Sequence, residues 1–142
     1  MNKMELKFLS HSDNERFART VAAAFILELD PTLEQMSEVK TAVSEAVTNA
    51  IIHGYNSEDG IITLEGSIDK SEVTFTITDY GVGISDIRKA REPLYSGKPE
   101  MERSGMGFTI METFMDDIKI QSTVGKGTKI TMKKTIEVPD EG

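Results

Sequence analysis

Three stretches of this chain carry side chains whose types and spacing could do chemistry. The first is Ser44-Glu45-Ala46-Val47-Thr48-Asn49-Ala50-Ile51-Ile52-His53. On a helix, Glu45 and Asn49 are one turn apart and project side by side from one face. A carboxylate there can take a proton, and an amide oxygen suits a hard cation such as Mg²⁺. Their apolar neighbours set them near a packing face, where polar groups are costly unless partnered. An exposed polar pair on an amphipathic helix would show the same spacing, and His53 reads as a helix-end residue. The second stretch, Asp79-Tyr80-Gly81-Val82-Gly83, closes a β-patterned run. Asp79 could accept a hydrogen bond from an exocyclic amine such as the 6-amino group of adenine. Gly81 and Gly83 would let the backbone approach a planar ring, although a plain turn uses the same residues. The third, Arg103-Ser104-Gly105-Met106-Gly107-Phe108, opens a helix. Free N–H groups at a helix start suit phosphate, and a flexible hinge would use the same glycines. No G-x-x-x-x-G-K-[ST] loop occurs, and Ile110 fills the last position of a G-x-G-x-x-G fingerprint.

The elements that must position these groups follow from periodicity. Alternation with Met4, Leu6 and Phe8 on one face predicts a strand over 4–10. Ser12-Asp13-Asn14-Glu15 has capping-box spacing and predicts a first helix to about residue 29, closed by Asp30-Pro31. Thr32-Leu33-Glu34-Gln35 repeats that spacing before Met36, Val39, Val43, Ala46, Val47, Ala50 and Ile51, which predicts a second helix. Gly54 is expected to stop it in a left-handed conformation. Strands are expected over 61–68 and 72–79, joined through Asp69-Lys70-Ser71. From Tyr80 the pattern degrades among Gly81, Gly83, Pro93, Gly97 and Pro99, with one helical turn near 86–91. A connection this long (about residues 84–104) reads as a lid or a disordered segment. A helix over 105–115 and a hairpin of 118–123 with 128–134 follow, and the acidic tail from Glu137 should fray. Hairpin-joined strands with helices gathered on one face make an α+β sandwich.

Composition narrows the classes further. The 142 residues suit a single domain over 1–142. There is no cysteine, which excludes disulfides, thiolate metal sites and thiol nucleophiles. Two histidines, His11 and His53, make a histidine-rich metal site a poor expectation. A net charge of −8, from 16 basic and 24 acidic side chains, disfavours nucleic acid as a partner. With no secretory h-region and no stretch near the ~20 apolar residues of a membrane span, a cytoplasmic protein away from membranes is expected.

The order of these pieces is harder to explain by chance than any one of them. Glu45/Asn49, then Asp79/Gly81/Gly83, then Gly105/Gly107, then Gly127-Thr128 resemble the GHKL ATPase pattern of gyrase, Hsp90, MutL and histidine-kinase ATP domains. Within that superfamily, residues 41–55 (TAVSEAVTNAIIHGY) and 98–112 (KPEMERSGMGFTIME) resemble the sporulation anti-sigma factor kinases. The resemblance implies a GHKL (Bergerat) ATP-binding sandwich, with a mixed, mostly antiparallel sheet, helices on one face and an ATP lid. It implies Glu45 as general base, Arg103 meeting the phosphates, Asn49 holding Mg²⁺ and Asp79 reading adenine. Gly81, Gly83, Ser104, Gly105, Met106, Gly107 and Thr128 would complete the ATP/ADP site, and Glu15 and Arg19 would face protein partners. The implied activity is serine phosphorylation of an anti-anti-sigma protein by a homodimer that also inhibits a sigma factor of the sigma F type. Two departures stand out: Tyr80 replaces an expected acidic residue, and Tyr95-Ser96-Gly97 replaces Phe-Thr-Thr in the lid. A nucleotide-dependent switch without phosphotransfer, an ATPase acting on water, and a stress-response anti-sigma kinase all remain compatible.

Overall fold

The computed structural model of the chain describes residues 1–56, 59–92 and 107–137. Strand β1 (Asn2–Leu9) turns Met4, Leu6 and Phe8 toward the core. Helix α1 (Asp13–Phe25) buries Ala18, Ala22 and Ala23, then tightens into a 3₁₀ turn (Ile26–Leu29) that ends at left-handed Asp30. Helix α2 (Leu33–Asn49) buries Val39, Ala42, Val43, Ala46 and Val47, the stripe its periodicity predicts. Its capping box forms as expected: Thr32 Oγ1 accepts from Gln35 N–H at 3.0 Å, and Gln35 Oε1 accepts from Thr32 N–H at 2.9 Å.

The matching box before α1 does not form. Ser12 already has helical backbone angles and makes no side-chain cap, so its hydroxyl is not swung over the free donors. Glu15 N–H bonds the Ser12 carbonyl oxygen instead, at 3.2 Å. The Glu15 carboxylate is drawn away to other partners, described below.

Strands β2 (Ile61–Asp69), β3 (Glu72–Asp79), β4 (Asp117–Thr123) and β5 (Gly127–Thr135) complete a five-stranded sheet in the order β1-β2-β3-β5-β4. All four pairings are antiparallel. Between β3 and β4 lie the short turn α3 (Ile87–Ala90), capped by Asp86, and helix α4 (Gly107–Phe114). Helices α1, α2 and α4 share one hydrophobic cluster with the inward residues of the sheet, among them Ile62, Leu64, Phe75, Ile77, Ile130 and Met132. Lys134 is buried with its charge partnered: Nζ donates to the Phe114 carbonyl at 2.7 Å and stands 3.4 Å from Glu38, tying β5 to the end of α4 and to the first half of α2. Among the described residues, no helix is long and apolar enough to cross a membrane. Most of the expected lid and the end of the tail lie outside the described residues.

Candidate functional site

The end of β3 is built around one carboxylate. Asp79 pairs in register with Ile62 on β2 and Thr128 on β5, and is only 3 % exposed. The backbone N–H of Gly81 donates to its Oδ1 at 2.9 Å, and Thr128 supplies a second backbone donor. Burial nonetheless raises the Asp79 pKa above the usual aspartate value, and the two N–H donors only partly offset this. A carboxylate has acceptor sites beyond those two donors, so Asp79 retains the capacity to accept from a ligand's amine.

Close backbone approach shapes the cradle. Gly54 lies against the carboxylate, where an added Cβ would meet the Asp79 side chain at 2.7 Å. At Gly81 a Cβ would stand 1.8 Å from the Gly54 carbonyl oxygen, which itself accepts from Val82 N–H at 2.9 Å. On the far side, Gly83 and Gly127 take positive φ and pack their backbones on Thr123 and Asp79. Ser122 Oγ donates to the Gly127 carbonyl at 3.0 Å and accepts from Ile84 N–H at 2.7 Å. With that proton committed, the Thr128 hydroxyl donates to Ser122 across 2.8 Å. The loop after Asp79 is therefore pinned from both sides, more firmly than a plain strand-end turn requires.

Glu45 and Asn49 are half-buried on α2, beside its packed stripe, as their spacing predicts. Beyond Asn49 the helix widens into a single π turn (Ala50–Gly54), closed by Tyr55 N–H on the Ala50 carbonyl at 3.0 Å. Such turns often sit at functional sites, and nothing in the residue pattern announces this one. Gly54 is not left-handed, contrary to expectation. It is a glycine because the Asp79 carboxylate occupies the space of a side chain. This single turn, which follows Asn49, carries Gly54 against the Asp79 cradle. Gly107 opens α4, which packs against α2. Arg103, Ser104, Gly105 and Met106 lie outside the described residues.

A second polar cluster lies between α1 and α2. Glu15, its side chain 12 % exposed, stands 3.3 Å from Arg19 one helical turn on, and accepts the hydroxyl of Ser44 from α2. Ser44 immediately precedes Glu45, so this cluster touches the helix carrying the candidate base. Sequence reasoning missed Ser44, Tyr55 and Ser122, because each acts through a partner distant in the chain.

Known proteins share this sequence pattern and fold. Residues 9–134 match the histidine kinase-like ATPase domain family. In fold, the chain resembles the crystal structure of the RsbU and RsbW domains of a Mycobacterium tuberculosis protein, with a TM-score of 0.71 at 17 % identity over 98 % of this chain and 34 % of that one. Family match and fold together define a histidine kinase-like ATPase domain. Among curated relatives, the anti-sigma F factor of Clostridium acetobutylicum is 61 % identical, covering 94 % of this chain and 93 % of its own. Those of Clostridium botulinum and Clostridium perfringens are 60 % and 58 % identical, each over 96 % of its own length. The chain belongs to the anti-sigma F factor family.

Proposed function

We propose that this chain is a single-domain anti-sigma factor that binds a sigma factor of the sigma F type and phosphorylates a serine of its anti-anti-sigma antagonist with Mg-ATP. The observation that supports this most is the π turn that follows Asn49 on the helix of Glu45 and sets Gly54 against the Asp79 carboxylate. Asp79, flanked by Thr128 and the glycine walls, offers a buried acceptor of the kind the amine of adenine would need. Asn49 offers one oxygen donor to a Mg²⁺ whose other ligands would be phosphate oxygens and water, the usual division for this cation.

Within this arrangement Glu45 takes the proton of the acceptor serine as the hydroxyl oxygen attacks the γ-phosphorus and ADP leaves. Gly107, with Arg103, Ser104, Gly105 and Met106, is assigned to the phosphates. Positioning and electrostatic stabilisation supply most of the acceleration in such transfers. Glu15 and Arg19 are assigned to the protein partners, and the working unit is a cytoplasmic homodimer.

The test is intact-mass measurement of the antagonist after incubation with Mg-ATP, beside Glu45→Gln. One added phosphate with the wild type and none with the variant is the expected result. An unmodified antagonist with nucleotide still bound would turn the reading toward a nucleotide-controlled binding switch. Free phosphate in place of phosphoprotein would turn it toward an ATPase.

A further inference from the structure

Where the β2–β3 ladder ends, its next rung is replaced by a side chain. The last paired residues are Ile62 and Asp79. One step further, the Ile61 carbonyl and the Tyr80 N–H would face each other and bond directly. The Tyr55 hydroxyl stands between them, accepting from Tyr80 N–H at 2.7 Å and donating to the Ile61 carbonyl at 2.5 Å. Its ring is partly buried against the core and lies over Gly60, where an added Cβ would come within 2.4 Å of it. Its own backbone N–H closes the π turn that follows Asn49.

We propose that Tyr55 is a positioning residue for base recognition: by splaying β2 and β3 one hydroxyl apart beside Asp79, it sets where that carboxylate aims. The inference rests on Asp79 reading the base. Three links then meet at one helix end: Gly54 walls the carboxylate, Gly54 O holds Val82, and Tyr55 Oη holds Tyr80. Removing the hydroxyl leaves two outcomes for the local backbone. Either the strands close into a direct rung and carry Asp79 with them, or a donor and an acceptor lose their partner. Both change the aim of the carboxylate while leaving Glu45 and Asn49 in place.

Tyr55→Phe is therefore compared with the wild type and with Asp79→Asn by calorimetric titration with ATP, GTP and Mg-tripolyphosphate. GTP presents a carbonyl where ATP presents an amine, and tripolyphosphate has no base. With one hydrogen-bonded alignment lost, Tyr55→Phe should weaken ATP about tenfold, narrow the ATP-over-GTP preference by a similar factor, and leave tripolyphosphate unchanged. A merely structural role would lower the melting temperature and weaken all three ligands together, which would overturn the proposal. If Asp79→Asn collapses the ATP-over-GTP preference and Tyr55→Phe preserves it, Asp79 reads the base but Tyr55 does not position it. If Asp79→Asn itself preserves the preference, the base reading of Asp79 fails and the role of Tyr55 falls with it. Should Tyr55→Phe not fold, amide exchange in the wild type decides: Tyr80 N–H should be protected despite lying beyond the ladder, and rapid exchange would overturn the clamp.

Discussion

Asp79 and Glu15 are both acidic groups largely withdrawn from water, and they are held in opposite ways. Asp79 is held by backbone: N–H donors from Gly81 and Thr128, a wall at Gly54, and strand register on both sides. Glu15 is held by side chains, the guanidinium of Arg19 and the hydroxyl of Ser44. Backbone is anchored by the sheet and cannot shift without moving a strand. Side chains can change rotamer and exchange partners. The first arrangement suits reading a ligand that never varies in shape. The second suits a surface that must rearrange when a protein arrives, and it lies one residue from the proposed base.

The sharpest way to break the contrast is Gly81→Ala. The new Cβ would meet the backbone carbonyl of Gly54 at 1.8 Å, where no flexible side chain can give way. The expected cost is about 3 kcal/mol of stability, with nucleotide binding abolished, read by denaturant unfolding and calorimetry. Normal binding by this variant would show that the cradle yields after all.

Asp79→Asn sharpens the contrast from within. The two backbone donors require acceptors, so an amide must either face them badly or turn its own N–H toward the ligand's amine. Nucleotide affinity should fall about 100-fold on losing a charge-assisted bond and gaining a repulsion. Stability of the nucleotide-free protein should move the other way. Burial raises the native Asp79 pKa, so above the ordinary aspartate range the native state holds this proton more tightly than the unfolded chain. Wild-type stability is then lost as pH rises through the window up to the raised value, and stays lower beyond it. Asparagine removes that loss. The melting temperature of Asp79→Asn should gain on the wild type through this window and then level off, whereas a gap independent of pH would contradict it.

The smallest effect belongs to the side-chain cluster. Ser44→Ala leaves the Glu15–Arg19 pair in place and removes only its tie to α2. Partner binding should weaken about fivefold, with nucleotide affinity and melting temperature almost unchanged, as surface plasmon resonance and thermal scans would show. A loss of nucleotide affinity as large as that of Asp79→Asn would mean the two regions are one.

Much of this was legible in the residues themselves, wherever local geometry decides. A helix places Glu45 beside Asn49 whatever surrounds it, because the repeat is intrinsic to the backbone. Thr32 finds Gln35 for the same reason, and alternation alone puts Phe75, Ile77 and Asp79 on the inward face of β3. Local rules failed where a distant group made the better offer. Ser12 and Glu15 have capping spacing, but Arg19 and Ser44 take the carboxylate. Gly54 looks like a helix stop and is a wall for a carboxylate on another strand. Tyr55 carries no motif, and only the folded chain sets its hydroxyl between Ile61 and Tyr80. By itself the sequence determined which groups could act and on which face each stands, because those follow from helical and strand periods. Tertiary structure alone decided which of them meet, because close approach between segments far apart in the chain depends on the packing of the whole.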